Sequence, residues 1–86
     1  MKPISNFPVW VNGVYIDATQ FLLLVNYNDL LIKAIFYYAL IDATGVKLYE
    51  HNLNMTGSDY ADYTTNSDAN TFAYKWAANL LGLNLI

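Results

Sequence analysis

The sequence predicts an α+β fold: a small antiparallel sheet of four to five strands, with one C-terminal helix packed on one face. Two features of the 86-residue chain predict this class. Its N-terminal part carries runs of β-branched and aromatic residues separated by turn residues, as in consecutive strands. Its C-terminal part repeats apolar residues at spacings of three and four, as in an amphipathic helix. A chain of this length supports one hydrophobic core, so we expect a single domain over residues 1–86.

The first predicted element is a β-hairpin over Val9–Ile16. Its centre, Asn12-Gly13, is the dipeptide that type I′ turns favour, because both residues tolerate a positive φ. A strand over Thr19–Tyr27 follows, in which alternate residues fall on opposite faces. Asn28-Asp29 ends this strand, since both residues are depleted in sheets and favour turns.

The next segment, Ile32–Asp42, is predicted to be the central strand. It is apolar on both faces, which is typical of a strand that is covered on both sides. A buried helix is the alternative, but the aromatic residues and the turn sequence that follows favour a strand. That turn, Asp42-Ala43-Thr44-Gly45, predicts a hairpin with a glycine bulge.

Pairing Asp42 with Val46 across this turn predicts the register of the two strands, with Leu40 opposite Leu48. The odd-numbered residues of the third strand then face the more apolar residues of the fourth. We therefore interpret the odd-numbered set as the inner face, beneath the helix. The opposite, outer face carries the even-numbered side chains Phe36, Tyr38 and Leu40.

The C-terminal helix is predicted to begin at Ser67 or Asp68, since both residues suit an N-cap, and to run for about 14 residues. Gly82 is expected just past its end, where a left-handed residue commonly stands. Leu83–Ile86 is expected to return as a short strand. The predicted apolar stripe includes Ala69, Phe72, Ala73, Trp76, Ala77, Leu80 and Leu81.

The surplus of apolar residues predicts an interaction surface. Hydrophobic residues make up 56% of the chain and charged residues 13%, against roughly 45–50% and 25% in ordinary domains. One helix covers one sheet face, so the other face is expected to dock on another protein, unless the first hairpin covers it. Ser58 or Asp59 is expected to cap a single helical turn that presents two tyrosines beside a polar loop. The predicted interface residues are Trp10, Leu22, Leu24, Phe36, Tyr38, Leu40, Leu48, Tyr60 and Tyr63.

The composition disfavours several other classes of function. The net charge of −3 opposes binding to nucleic-acid phosphates, and no apolar run approaches the roughly 20 residues of a membrane span. The chain has no cysteine and no metal-ligand spacing, so no metal, cofactor or small-molecule substrate is expected. His51 has neither a nucleophile nor a second ligand near it in the sequence, so no catalytic residue is predicted.

An ordered series of short segments resembles small accessory proteins encoded among the structural genes of tailed bacteriophages. The resemblance covers roughly residues 34–83. Where those proteins often have tryptophan after a Gly-x-Asp-Tyr unit, this chain has Tyr63. The resemblance implies a virion component that is present in many copies, and it implies no catalytic residues. The segments that carry it are Phe36–Leu40, Asp42–Gly45, Leu53–Tyr60, Tyr74–Ala78 and Leu81–Leu83.

These expectations combine into a non-enzymatic structural subunit of a phage head, neck or tail. It would be made in the host cytoplasm and located in the virion, with other virion proteins and copies of itself as partners. The alternative is a small phage-encoded inhibitor that binds a host protein. A small enzyme is the third possibility, but the predicted register points Glu50 away from His51.

Overall fold

Four antiparallel strands and two helices form the structure, a computed structural model that describes all 86 residues. The strands are hydrogen-bonded in their order along the chain, so every connection within the sheet is a hairpin. The predicted α+β class is confirmed, but two helices follow the sheet where one was expected. The elements are β1 (Lys2–Val11), β2 (Val14–Asn28), β3 (Lys33–Ile41), β4 (Lys47–Thr56), α1 (Gly57–Thr65) and α2 (Ala69–Leu81).

The hairpin of β1 and β2 has the predicted turn. Asn12 and Gly13 have positive φ angles of 49° and 87°, and Val11 pairs with Val14 across them. β2 continues as one strand of 15 residues, so the second hairpin arm and the strand expected to follow it are a single element. The twist of so long a hairpin brings the two edge strands, β1 and β4, toward each other.

A bulge in β4 separates the observed register from the predicted one. The turn itself is as predicted, because the N–H of Asp42 donates to the carbonyl oxygen of Val46 at 3.0 Å. Beyond the turn, Leu40 pairs with Tyr49, because Leu48 is an extra residue in β4. Every later pair is shifted by one position, and the predicted pairing of Leu40 with Leu48 is wrong.

This shift exchanges the two faces of the sheet. The even-numbered residues of β3 pair with Tyr49, Leu53 and Met55, and they share a buried cluster with residues from both helices. The even-numbered face is therefore the inner one, and the prediction that the odd-numbered face lies beneath the helix is wrong. The buried side chains that β3 contributes to the inner face are Ala34, Phe36, Tyr38 and Leu40.

Aromatic contacts hold both helices on this inner face. The ring of Phe36 meets Tyr63 of α1 edge to face, with centroids 5.5 Å apart, and its centroid lies 5.7 Å from that of Trp76 of α2. Phe21 of β2 meets Tyr74 of α2 edge to face at 5.5 Å. Such pairs stabilise beyond the area that they bury, so the core is centred on aromatic rings between one sheet face and two helices.

The ends of α2 are as predicted. Asp68 is the N-cap, and its carboxylate accepts the N–H of Thr71 at 3.2 Å. Gly82 takes the left-handed conformation, with φ 73°. Beyond it, the chain returns to β1 as predicted, but Leu85 forms only a single isolated bridge with Ile4 and the expected strand over Leu83–Ile86 is absent.

α1 differs from the predicted single turn. It spans nine residues, and its N-cap is Thr56, which makes no side-chain capping bond. Neither Ser58 nor Asp59 is the cap, so that prediction is wrong. The Asp59 carboxylate instead accepts a hydrogen bond from Nε1 of Trp76 at 3.2 Å, and this bond joins the two helices.

Candidate interaction surfaces

Four of the predicted interface residues lie in the core. Phe36, Tyr38 and Leu40 are buried, because the β4 bulge places their side of β3 beneath the helices. Tyr60 is buried as well, since α1 lays it against the sheet, where its hydroxyl donates to Oδ1 of Asn28 at 2.7 Å. Placing these four side chains on an exposed outer sheet face is therefore wrong, and two of them, Tyr38 and Leu40, instead line a pocket on the inner face.

The other predicted interface residues divide into two groups. Leu48 and Tyr63 are partly buried and pack against the core cluster. Trp10 and Leu24 are 62% and 53% exposed, and Leu22 is half-buried. The structure does not bring Trp10 together with the two leucines, because Trp10 lies on β1 beside the first turn and the leucines lie in the middle of β2.

The sheet face turned away from the helices, which we call the open face, is lined only by side chains of the sheet itself. It is bordered on the β4 side by polar groups. The hydroxyl of Tyr37 donates to the carboxylate of Glu50, and Nζ of Lys47 lies 3.9 Å from that carboxylate. An apolar centre with a polar border is the usual layout of a protein interface. The apolar side chains of the open face include Leu22, Leu24, Ile35 and Tyr37, together with Ala39 and Ile41, which are buried.

The loop between β2 and β3 exposes three consecutive aliphatic side chains, Leu30, Leu31 and Ile32, which we call the apolar tip. Their exposed fractions are 80%, 81% and 68%, among the highest for large apolar residues in the chain. Sequence reasoning missed these residues as an interaction site. The available signal was their position directly after the turn residues Asn28-Asp29.

Two polar side chains hold the apolar tip in one conformation. Oδ1 of Asn28 accepts the N–H of Leu30 at 2.9 Å. Oδ1 of Asp29 accepts the N–H groups of residues 31, 32 and 33 at 2.8, 2.9 and 3.1 Å. These three donors stabilise the charged carboxylate and so lower the pKa of Asp29 below its ordinary value. The tip is therefore ordered before it meets any partner.

The Asp29 carboxylate is expected to make stability depend on pH. Its pKa in the folded chain lies below the ordinary 3.8, so its contribution is complete above that pH and is lost as the pH falls through the lowered value. We expect the melting temperature of an Asp29→Asn variant, followed by circular dichroism, to fall less steeply between about pH 5 and pH 2 than that of the unaltered chain. Parallel curves for the two proteins would contradict this role for Asp29.

An apolar pocket of about 340 Å³ lies near the opposite end of β3 from the apolar tip. It forms where β1 approaches β4 across the inner face, beside the end of α2. No charged residue lines it, so the pocket suits an apolar group better than a polar ligand. Its walls include Phe7, Val9, Trp10, Leu40, Tyr49 and Leu81.

Reactive groups are not concentrated at these surfaces. His51 is exposed on β4, and its Nδ1 lies 3.1 Å from the carbonyl oxygen of Asn52. His51 pairs with Tyr38 across the sheet. The fold gathers no group of three His, Asp or Glu side chains that could hold a metal ion. Neither helix combines the length and the hydropathy that crossing a bilayer requires.

No protein-family model, curated protein or solved structure matches the chain. The three surfaces therefore carry the functional argument. They are a preorganised convex tip, a shallow open face and a concave pocket, and all three are apolar at their centres. Such surfaces recognise partners by shape and by burial of apolar area.

Proposed function

We propose that this protein is a non-enzymatic assembly subunit that docks by burying preformed apolar surface. In keeping with the resemblance of its sequence, we assign it to the virion of a tailed phage, as an accessory component of the head, neck or tail. One observation carries the proposal. Leu30, Leu31 and Ile32 are 80%, 81% and 68% exposed on a loop that side-chain hydrogen bonds hold in place.

The exposure of the apolar tip is unfavourable for an isolated chain. Burial of one aliphatic side chain stabilises by about 1.5–3 kcal/mol, and the tip forgoes that gain at three consecutive positions. Leu30 also has a left-handed backbone, with φ 64°, which costs a residue other than glycine roughly 1–2 kcal/mol. Glycine or asparagine would suit this position better, so a leucine here supports a role for its side chain in binding.

Rigidity of the docking surface also supports an assembly role. Ordering a mobile loop on binding costs conformational entropy, and a subunit used in many copies would meet that cost at every copy. The hydrogen bonds from Asn28 and Asp29 order the tip in advance. The open face, with Leu24 more than half exposed, gives the subunit a second surface for contact with other virion proteins.

Mass spectrometry of purified virions tests the proposal. We expect the chain to be present in particles in several copies, and a Leu31→Asp variant to be lost from them although it remains folded. Asn70→Asp is the matched control, because Asn70 is an exposed residue of α2 that lies outside the apolar tip, the pocket and the open face; this variant should be retained. Absence of the unaltered chain from particles, together with capture of a host protein on the immobilised chain, would overturn the proposal and favour the inhibitor.

A further inference from the structure

We propose that the apolar tip of one copy of this chain binds in the apolar pocket of a second copy. The inference rests on the proposed assembly function and names the partner of the tip. Three properties of the molecule carry it: the match between tip and pocket, their positions in the fold, and the area that a stable contact needs.

The pocket matches the tip in chemistry and in size. Its volume of about 340 Å³ is roughly twice the 150 Å³ of an apolar cavity that holds a benzene-sized group. Two of the three aliphatic side chains of the tip therefore fit inside it, and the third would pack against the aromatic rim formed by Trp10 and Tyr49. None of the three tip side chains and none of the pocket residues is charged, so the contact would remove no ion from water.

The positions of tip and pocket prevent contact within one copy. The tip directly precedes Lys33, the first residue of β3, whereas Leu40 of the pocket wall lies near the end of that strand. At about 3.3 Å per residue, the strand between them spans roughly 23 Å. The tip is tied to β2 on one side and to β3 on the other, so the pocket that it reaches belongs to another copy.

The buried area indicates that each copy uses both its tip and its pocket. Three aliphatic side chains present roughly 300 Å², so one tip in one pocket removes roughly 600 Å² from the two copies together. Stable interfaces bury about 1,200 Å² or more. A pair with each tip in the other's pocket reaches that area, whereas one tip-to-pocket contact in an open series of copies buries about half of it.

Cross-linking of full-length single-cysteine variants tests the contact directly, because the chain has no cysteine of its own. Leu31→Cys on the tip is mixed with Tyr49→Cys at the half-exposed rim of the pocket and oxidised gently. We expect a mixed disulfide in roughly tenfold higher yield than between Leu31→Cys and Asn52→Cys, because docking raises the local concentration of the two thiols. Trp10→Cys gives a second rim position, and equal yields for rim and control variants would overturn the proposal.

Sedimentation of the unaltered chain and of Leu31→Asp separates this contact from assembly in general. We expect the unaltered chain to form dimers or longer series, both of which support the contact, and Leu31→Asp to remain a monomer. Self-association that persists in Leu31→Asp would overturn the tip-to-pocket contact and leave the assembly function standing. A monomer at every concentration that is also absent from particles would overturn both. Tip-dependent pelleting with neutral lipid vesicles, without cross-linking, would overturn the contact in favour of a lipid surface.

Discussion

Replacing Leu40 by lysine is expected to unfold the protein. Leu40 is 5% exposed and belongs to the core cluster between the sheet and the helices. The lost packing of leucine costs about 2–5 kcal/mol, and a buried ammonium group without a partner costs about 3–5 kcal/mol in addition. A chain of this length has a total stability of about 4–13 kcal/mol. Circular dichroism and denaturant titration at 25 °C are therefore expected to show largely unfolded chains.

Leu24→Lys is the matched control for this experiment. Leu24 is the same residue type on the neighbouring strand β2, but it lies on the open face and is 53% exposed. We expect the free energy of unfolding to change by about 0.5 kcal/mol or less, as is usual for surface substitutions. A folded Leu40→Lys protein would contradict the assignment of the inner face, and so would equal destabilisation by the two substitutions.

The two faces of the sheet were predicted the wrong way round because of one residue, Leu48, whose bulge no local sequence pattern predicts. The turn at Asp42 and its closing pair with Val46 follow from adjacent residues, and both were predictable. On β4 the inner face was also predictable, since Met55 is fully buried and Leu53 packs against the core. Because Leu48 is an extra residue in β4, the inner-face residues of β4 pair with the even-numbered residues of β3 and not with the odd-numbered ones. A bulge responds to twist and packing across strands, so counting outward from a turn does not find it.

The apolar tip was missed for a different physical reason. Aliphatic residues are typical of strands, so the predicted third strand already begins at Ile32. In the structure the carboxylate of Asp29 accepts backbone N–H groups that a strand would use for pairing, and the chain turns instead. The turn residues were recognisable from the sequence. The exposure of the side chains that follow them depends on where the neighbouring elements end, which is a property of the whole fold.

In α2, the ends were predictable and the buried stripe was predictable only in part. Asp68 and Gly82 act through neighbouring backbone groups, so their residue types are sufficient signals. The stripe was expected to include Leu80, yet Leu80 is 60% exposed and Tyr74 is buried. A stripe predicted from apolar periodicity omits Tyr74, because burying its hydroxyl is unfavourable unless the hydroxyl has a hydrogen-bond partner. In the fold that hydroxyl has a partner 51 positions away in the sequence.

The partner of the Tyr74 hydroxyl is the backbone of Leu23, at a point where β2 has no neighbouring strand on the β1 side. β1 begins at Lys2, which pairs with Phe21, so no residue of β1 lies opposite Leu23. The N–H of Leu23 donates to the Tyr74 hydroxyl at 3.1 Å, and that hydroxyl donates to the carbonyl oxygen of Leu23 at 3.4 Å. One side-chain oxygen thus takes the place of a strand residue, and it satisfies backbone groups that would otherwise be buried without partners.

Tyr74→Phe is therefore expected to destabilise the protein although it removes one atom. The ring keeps its contact with Phe21, but the N–H and carbonyl oxygen of Leu23 lose their partner in a buried site. An unsatisfied buried polar group costs about 1–3 kcal/mol, which lowers the melting temperature of a small domain by roughly 5–15 °C. Native-state hydrogen exchange is expected to show faster exchange at the Leu23 amide in the variant.

Tyr15→Phe removes the same hydroxyl from a tyrosine that is 69% exposed, so its melting temperature should stay close to that of the unaltered chain. A purely hydrophobic role for Tyr74 would predict the reverse ranking, because phenylalanine is the more apolar residue and would stabilise the core. Equal melting temperatures for Tyr74→Phe and the unaltered chain, with unchanged protection of the Leu23 amide, would therefore show that water or a backbone shift completes the edge of β2. Slower exchange of the Leu23 amide in the unaltered chain than in Tyr74→Phe would instead show that the stabilisation comes from this one hydroxyl. The hydroxyl then holds α2 against β2, the strand that leads into the apolar tip.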